Sequence, residues 1–149
     1  MASAADFHPT RPSAFTLAEL LVVLVVMSVL LGLSFRRLSS AADQAAVRGA
    51  TSDAAAVFRR ARSEAIYRRA SVAVVIDTLR GSVAARADTV LLVLRGLGSG
   101  YGVRLTATRD SMAFDARGLG IGAANLSIIA RRGRSVDTLF VSRLGRLRY

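Results

Sequence analysis

The chain has no cysteine, no tryptophan and no lysine, and it holds one histidine and two prolines. Without cysteine it can form neither a disulfide nor a thiolate metal site. The single histidine, His8, lies in the first 14 residues, and the acids after them are scattered singly rather than in metal-ligand or acid/base spacings. No GxSxG nucleophile elbow occurs. Gly96 to Gly102 is glycine-rich, but no lysine follows it, so it reads as a turn rather than a phosphate loop. These absences argue against an enzyme, a cofactor or a small-molecule substrate. Every one of the 21 basic residues is arginine, and the net charge is +11. Guanidinium groups suit bidentate contact with phosphates and carboxylates.

The most informative stretch is AFTLAELLVVLVVMSVLLGLSF, which starts at Ala14. From Phe15 to Phe35 it offers about 21 residues, close to the ~20 that carry a helix across a bilayer. Glu19 is its only charge. An isolated carboxylate at mid-membrane costs roughly 2.5–3.5 kcal/mol on insertion scales, so it needs a cation or a function. Arg36 and Arg37 lie more than four turns further along, so a partner must come from another chain or a new N-terminus. A plain signal anchor leaves the FTLAE order unexplained, and a cleavable secretory signal would have a shorter apolar core.

Residues 1–14, with both prolines and no apolar periodicity, read as a leader. After Gly32 a helical pattern runs without proline to about residue 70, which makes 36–70 an amphipathic continuation of the span at 15–35. Helix propensity along it is weakest at Gly32 and Gly49. Val47, Ala50, Ala54, Val57, Phe58, Ala61 and Ala65 share one stripe, wide enough to bury against a sheet. Arg48, Arg59, Arg62 and Arg69 project together beside it as a basic ridge.

From Ser71 the period changes. Segments 72–76, 89–95, 101–108, 111–115, 126–130 and 135–142 are rich in Val, Ile, Leu and Thr and predict strands. LRGS, GLGSGYG, ARGLGIG and RRGR supply the turns, the last as a hairpin tip. A long helix followed by strands predicts an α+β chain with a mostly antiparallel sheet, the β-rich domain occupying 71–149.

The 14–23 stretch, Ala-Phe-Thr-Leu-Ala-Glu-Leu-Leu-Val-Val, resembles the processing signature of type IV pilins and type II secretion pseudopilins, although that family usually has Gly where this chain has Ala14. The resemblance implies cleavage by a prepilin peptidase between Ala14 and Phe15, N-methylation of Phe15, and docking of Glu19 onto a neighbouring subunit's amine. It also implies a single-pass inner-membrane protein with its C-terminal domain in the periplasm or exported in a pilus or pseudopilus. A count of positive charges, with Arg11 before the span and Arg36 and Arg37 after it, points the other way. Three further stretches, RSEAIYRRASVAVVI (62–76), MAFDARGLG (112–120) and VSRLGRLR (141–148), are similar to the FimT/GspH group of minor pilins and pseudopilins. The tryptophan that this group often carries after its first strand is missing from TLRGS.

Within that group two roles stand open. FimT-like members include DNA binders with a Gly-Arg-x-Arg tail, and this chain has Gly145-Arg146-Leu147-Arg148. Arg131, Arg132, Arg134, Arg143, Arg146 and Arg148 face a single acid, Asp137, over the same segment. Such clustering neutralises phosphates and releases counterions without reading base edges, and Tyr149 adds one stacking surface. The alternative is a type II secretion minor pseudopilin whose arginines meet acidic neighbouring subunits.

Overall fold

The computed structural model of the chain describes residues 15–122 and 125–149, with backbone alone at 33–36. The expected leader, including Ala14, lies outside the described residues. The chain divides at Arg37 into two compact units.

In the first unit the helix α1 (Leu17–Arg68) begins. Thr16 caps it, its Oγ1 accepting from the Glu19 amide at 3.2 Å. This satisfies one of the amides that a helix start leaves unpaired. The side chains from Leu20 to Leu31 are exposed and, Ser28 apart, apolar, and the stretch is apolar enough to cross a membrane. The Ser28 hydroxyl donates to the Leu24 carbonyl at 2.7 Å, which removes a polar group from that apolar surface.

In the second unit the rest of α1 packs on two sheets. Every residue of the apolar stripe from Val47 to Ala65 is buried, as the 3.6-residue period requires. The helix stops at Arg68 rather than continuing to 70. Arg69 is left-handed (φ 51), its amide donates to the Ile66 carbonyl, and the Ala70 amide donates to the Ala65 carbonyl. Those two bonds form a Schellman stop.

The strands are β1 (Val72–Asp77), β2 (Ser82–Ala87), β3 (Val90–Gly96), β4 (Arg104–Ala107), β5 (Ser111–Phe114), β6 (Gly120–Ile121), β7 (Leu126–Arg132), β8 (Ser135–Val141) and β9 (Leu147–Arg148). All pairings are antiparallel, but the strands form two sheets instead of one: β3-β2-β1-β5-β6 and β4-β7-β8-β9. Sequence patterning does not anticipate β2. Its Ala84, Ala85 and Ala87 have low strand propensity, yet all three are buried, and β2 lies between β1 and β3. GLGSGYG forms the short helix α2 (Leu97–Tyr101), closed by left-handed Gly102, so the strand expected over 101–108 is only four residues long.

One core joins α1 to both sheets. Phe58 on the helix meets Phe114 on β5 edge to face, with ring centroids 6.5 Å apart. Inward residues of β7 and β8, such as Leu126, Ile128 and Leu139, complete the core from the second sheet. Gly49 has a packing role: a Cβ there would stand 2.6 Å from the Tyr101 ring. The Tyr101 hydroxyl donates to Asp53 at 2.9 Å, which together with burial raises its phenol above the ordinary 10.0.

Candidate nucleic-acid interface

Burial along β7 and β8 alternates, so the two faces of the second sheet can be told apart. Ile128, Ala130, Leu139 and Val141 point inward. Asp137 turns the same way, its Oδ2 accepting from the buried Thr51 hydroxyl on α1 at 2.5 Å. The one acid of the basic segment is therefore committed to the helix. Arg131, Val136 and Phe140 lie on the opposite, outer face, where Phe140 is 50% exposed.

The RRGR stretch makes the expected hairpin tip. Arg132 pairs with Ser135, and between them Gly133 (φ 56) and Arg134 form a two-residue turn, with positive φ only at its first position as in type II′. Arg132 is not available to a ligand in the way its neighbours are. Its Nε meets Asp43 Oδ1 at 2.9 Å and its Nη1 donates to the Tyr101 carbonyl at 2.6 Å. Arg131 and Arg134 are exposed.

The VSRLGRLR stretch forms the next hairpin. The Gly145 amide donates to the Ser142 carbonyl, the Ser142 amide donates to the Arg146 carbonyl, and Gly145 is left-handed (φ 72). This is a type I turn closed by a glycine bulge. Arg143 is exposed in the turn, while its carbonyl accepts from the Gly120 amide at 2.8 Å and so ties the two sheets together. Past the bulge, β9 pairs with the end of β8, setting Arg148 opposite Phe140 and Leu147 opposite Val141. Arg146, Arg148, Phe140, Leu144 and Tyr149 line an open concavity of about 720 Å³. Two guanidinium groups beside two exposed rings suit a polyanion with stackable bases.

The six arginines do not form one patch. Arg143, Arg146 and Arg148 gather at one end of β8, and Arg131, Arg132 and Arg134 lie toward the other, four to six residues along the strand or roughly 13–20 Å away at ~3.3 Å per residue. The basic ridge expected on α1 also breaks up. Arg69 lies beyond the helix and Arg62 is turned toward Gly118 and Gly145, which leaves Arg48 and Arg59 exposed on it. Two residues of the outer face escape sequence reasoning. Phe140 could have been found from the alternation in β8, whereas Arg104 becomes significant only through its pairing opposite Arg131.

At the start of α1, Phe15 is exposed just before the helix, and Glu19 stands exposed in its first turn. There the partial positive charge of a helix start favours a carboxylate.

Residues 10–35 match the family model of the prokaryotic N-terminal methylation motif. No curated protein matches the chain. Among solved structures, the chain is similar to the Pseudomonas aeruginosa PAO1 type IV minor pilin FimU in two crystal forms. In space group P21 the TM-score is 0.57 at 16% identity, covering 68% of this chain and 86% of FimU. In P65 it is 0.56 at 17% identity, covering 68% and 90%.

Proposed function

We infer, from an N-terminal motif and a fold that are both type IV minor pilin-like, that the chain is a minor pilin of the FimT/GspH type that binds DNA without sequence preference. In this reading prepilin peptidase cuts between Ala14 and Phe15, Phe15 is methylated, and the 15–35 helix holds the subunit in the inner membrane before assembly. Glu19 then docks onto a neighbouring subunit, and the domain of two sheets works in the periplasm.

The DNA reading rests on the concavity where Arg146 and Arg148 stand beside Phe140 and Tyr149. Arginines there neutralise phosphates while the rings offer stacking faces that accept any base. The test is binding of DNA by the full-length protein in non-ionic detergent across a salt series, beside Arg146→Ala/Arg148→Ala. Binding that weakens linearly in log–log form and is lost in the double variant supports the reading. Equal binding by the variant, or none by the parent, removes it.

A second reading, a type II secretion minor pseudopilin, is favoured by a different feature. β3 is an edge strand that exposes Val90, Leu91 and Leu94, and an apolar edge of this kind is a pairing surface for another subunit. That reading takes precedence if the protein ignores DNA.

A further inference from the structure

The outer face of the four-stranded sheet carries a second basic site that the tail motif does not include. Arg104 on β4 and Arg131 on β7 are paired in register on adjacent antiparallel strands, and both are exposed. Residues paired in this way project from the same face with Cβ atoms about 4.5–5.5 Å apart, where like charges repel. The nearby acids do not relieve that repulsion: Asp43 is bound to Arg132, and Asp137 faces the helix. Asp110 lines an adjoining concavity together with Arg80 and Arg104, but it does not border the one that Arg104 shares with Arg131. An anion placed between Arg104 and Arg131 would turn the repulsion into two favourable contacts. Room exists for one, because both arginines border a concavity of about 610 Å³ whose other walls are Gly98, Gly102, Val103, Gly133 and Arg132, the last already held by Asp43.

This pair and the tail lie on the same face. Arg131 is opposite Val136 and Arg148 is opposite Phe140, so along β8 the two sites stand four residues apart, or about 13 Å at ~3.3 Å per residue. At about 3.4 Å per phosphate along each strand of a duplex, that interval spans roughly four nucleotides. Ser127, Ile129 and Thr138 lie between them and bring no charge to the path.

We propose that the outer face of the β4-β7-β8-β9 sheet is a continuous track for a DNA backbone, running from the Arg146/Arg148 concavity to a second phosphate clamp formed by Arg104 and Arg131. This rests on the reading of the chain as a DNA-binding minor pilin. The clamp adds phosphate contacts rather than base contacts, so it acts on the salt dependence of binding and not on sequence preference.

The test compares full-length protein in detergent with Arg104→Gln/Arg131→Gln and Arg104→Lys/Arg131→Lys, on single-stranded and duplex oligonucleotides of about 12 nucleotides, long enough to span the track. The expected result is a plot of log affinity against log salt whose slope is shallower in the glutamine pair, by about 1.8 on duplex and about 1.4 on single strands, with the parental slope kept by the lysine pair. Thermal unfolding of the glutamine pair checks that it folds; removing two facing like charges leaves the fold intact. An unchanged slope in a folded glutamine pair, with binding still lost in Arg146→Ala/Arg148→Ala, overturns the track and leaves the tail site standing. If the parent itself binds no DNA, the functional reading fails and the track falls with it.

Discussion

Arg62 on α1 and Gly145 in the last hairpin are in direct contact. The guanidinium Nη1 approaches the Gly145 carbonyl at 3.4 Å, and a Cβ on Gly145 would stand 3.0 Å from the Arg62 Cδ. Gly118 meets the same side chain from the first sheet, where an added Cβ would lie 3.0 Å from Arg62 Nε. Both glycines are left-handed and both close a type I turn. The three stretches that resemble the FimT/GspH group, 62–76, 112–120 and 141–148, thus converge on one arginine. The glycine of the Gly-Arg-x-Arg tail has a structural reason: only glycine lets the chain turn there, against Arg62, and send Arg146 and Arg148 outward.

Gly145→Ala is expected to destabilise the protein by about 2 kcal/mol, combining the left-handed cost of roughly 1–2 kcal/mol with displacement of Arg62. Urea unfolding measures it. Adding Arg62→Ala should recover the part due to contact but not the part due to φ, so the double variant should cost less than the sum of the two single changes. Strict additivity would show that the contact carries no energy.

Arg69→Gly is expected to stabilise the second unit. Arg69 holds φ 51 at the end of α1, a conformation that costs a residue with Cβ roughly 1–2 kcal/mol. Part of that gain is offset by the greater freedom of glycine in the unfolded chain, leaving about 0.5–1 kcal/mol. A higher urea midpoint with an unchanged slope is the expected outcome, and a lower midpoint would show that the arginine side chain contributes more than its backbone costs.

Acidification should weaken the turn at 115–118. Asp115 Oδ1 accepts from the Leu119 amide at 2.9 Å and the Arg117 amide at 2.8 Å, and these bonds hold its carboxyl below the ordinary 3.8. A carboxyl whose value is lower in the folded state adds stability above its unfolded value, and that stability is lost as pH falls through the folded one. Asp115→Asn should therefore lower stability near neutrality and flatten its decline below about pH 4. Parallel curves for the two proteins across that range would remove Asp115 as the cause.

Much of this arrangement is legible in the residues themselves. The buried face of α1 follows from the spacing of Val47, Ala50, Ala54, Val57, Phe58, Ala61 and Ala65, because helix periodicity needs no knowledge of the partner surface. β7 and β8 are legible because branched side chains dominate them and glycine marks their turn. β2 is hidden because Ala84, Ala85 and Ala87 are buried for their small size, which carries no strand signal. Helix periodicity sets the direction of Arg62 but not what lies there, since Gly118 and Gly145 arrive from distant turns. Proximity in sequence is not proximity in space here: Arg131 and Arg148 are near each other along the chain, but an extended strand sets them apart, and Arg104, distant in sequence, stands beside Arg131.

The final prediction concerns Glu19, for which the structure provides a local role that competes with the proposed one. Thr16 and Glu19 have the spacing of a capping box, and the Thr16 hydroxyl accepts from the Glu19 amide. A carboxylate in the first turn gains about 0.3–1 kcal/mol from the helix dipole, less than the roughly 2.5–3.5 kcal/mol that burying it in hydrocarbon would cost. Capping alone therefore does not account for an acid here once the helix enters a bilayer or a filament core, and a cation from a neighbouring subunit would supply the difference. Glu19→Ala is expected to leave cleavage intact, as read by the mature mass, and to impair incorporation into the filament. Thr16→Ala serves as the control, since it removes the cap and keeps the acid. If Thr16→Ala impairs assembly as much as Glu19→Ala does, the acid works through the helix end rather than through a partner. If only Glu19→Ala does so, the carboxylate itself is what the neighbouring subunit meets.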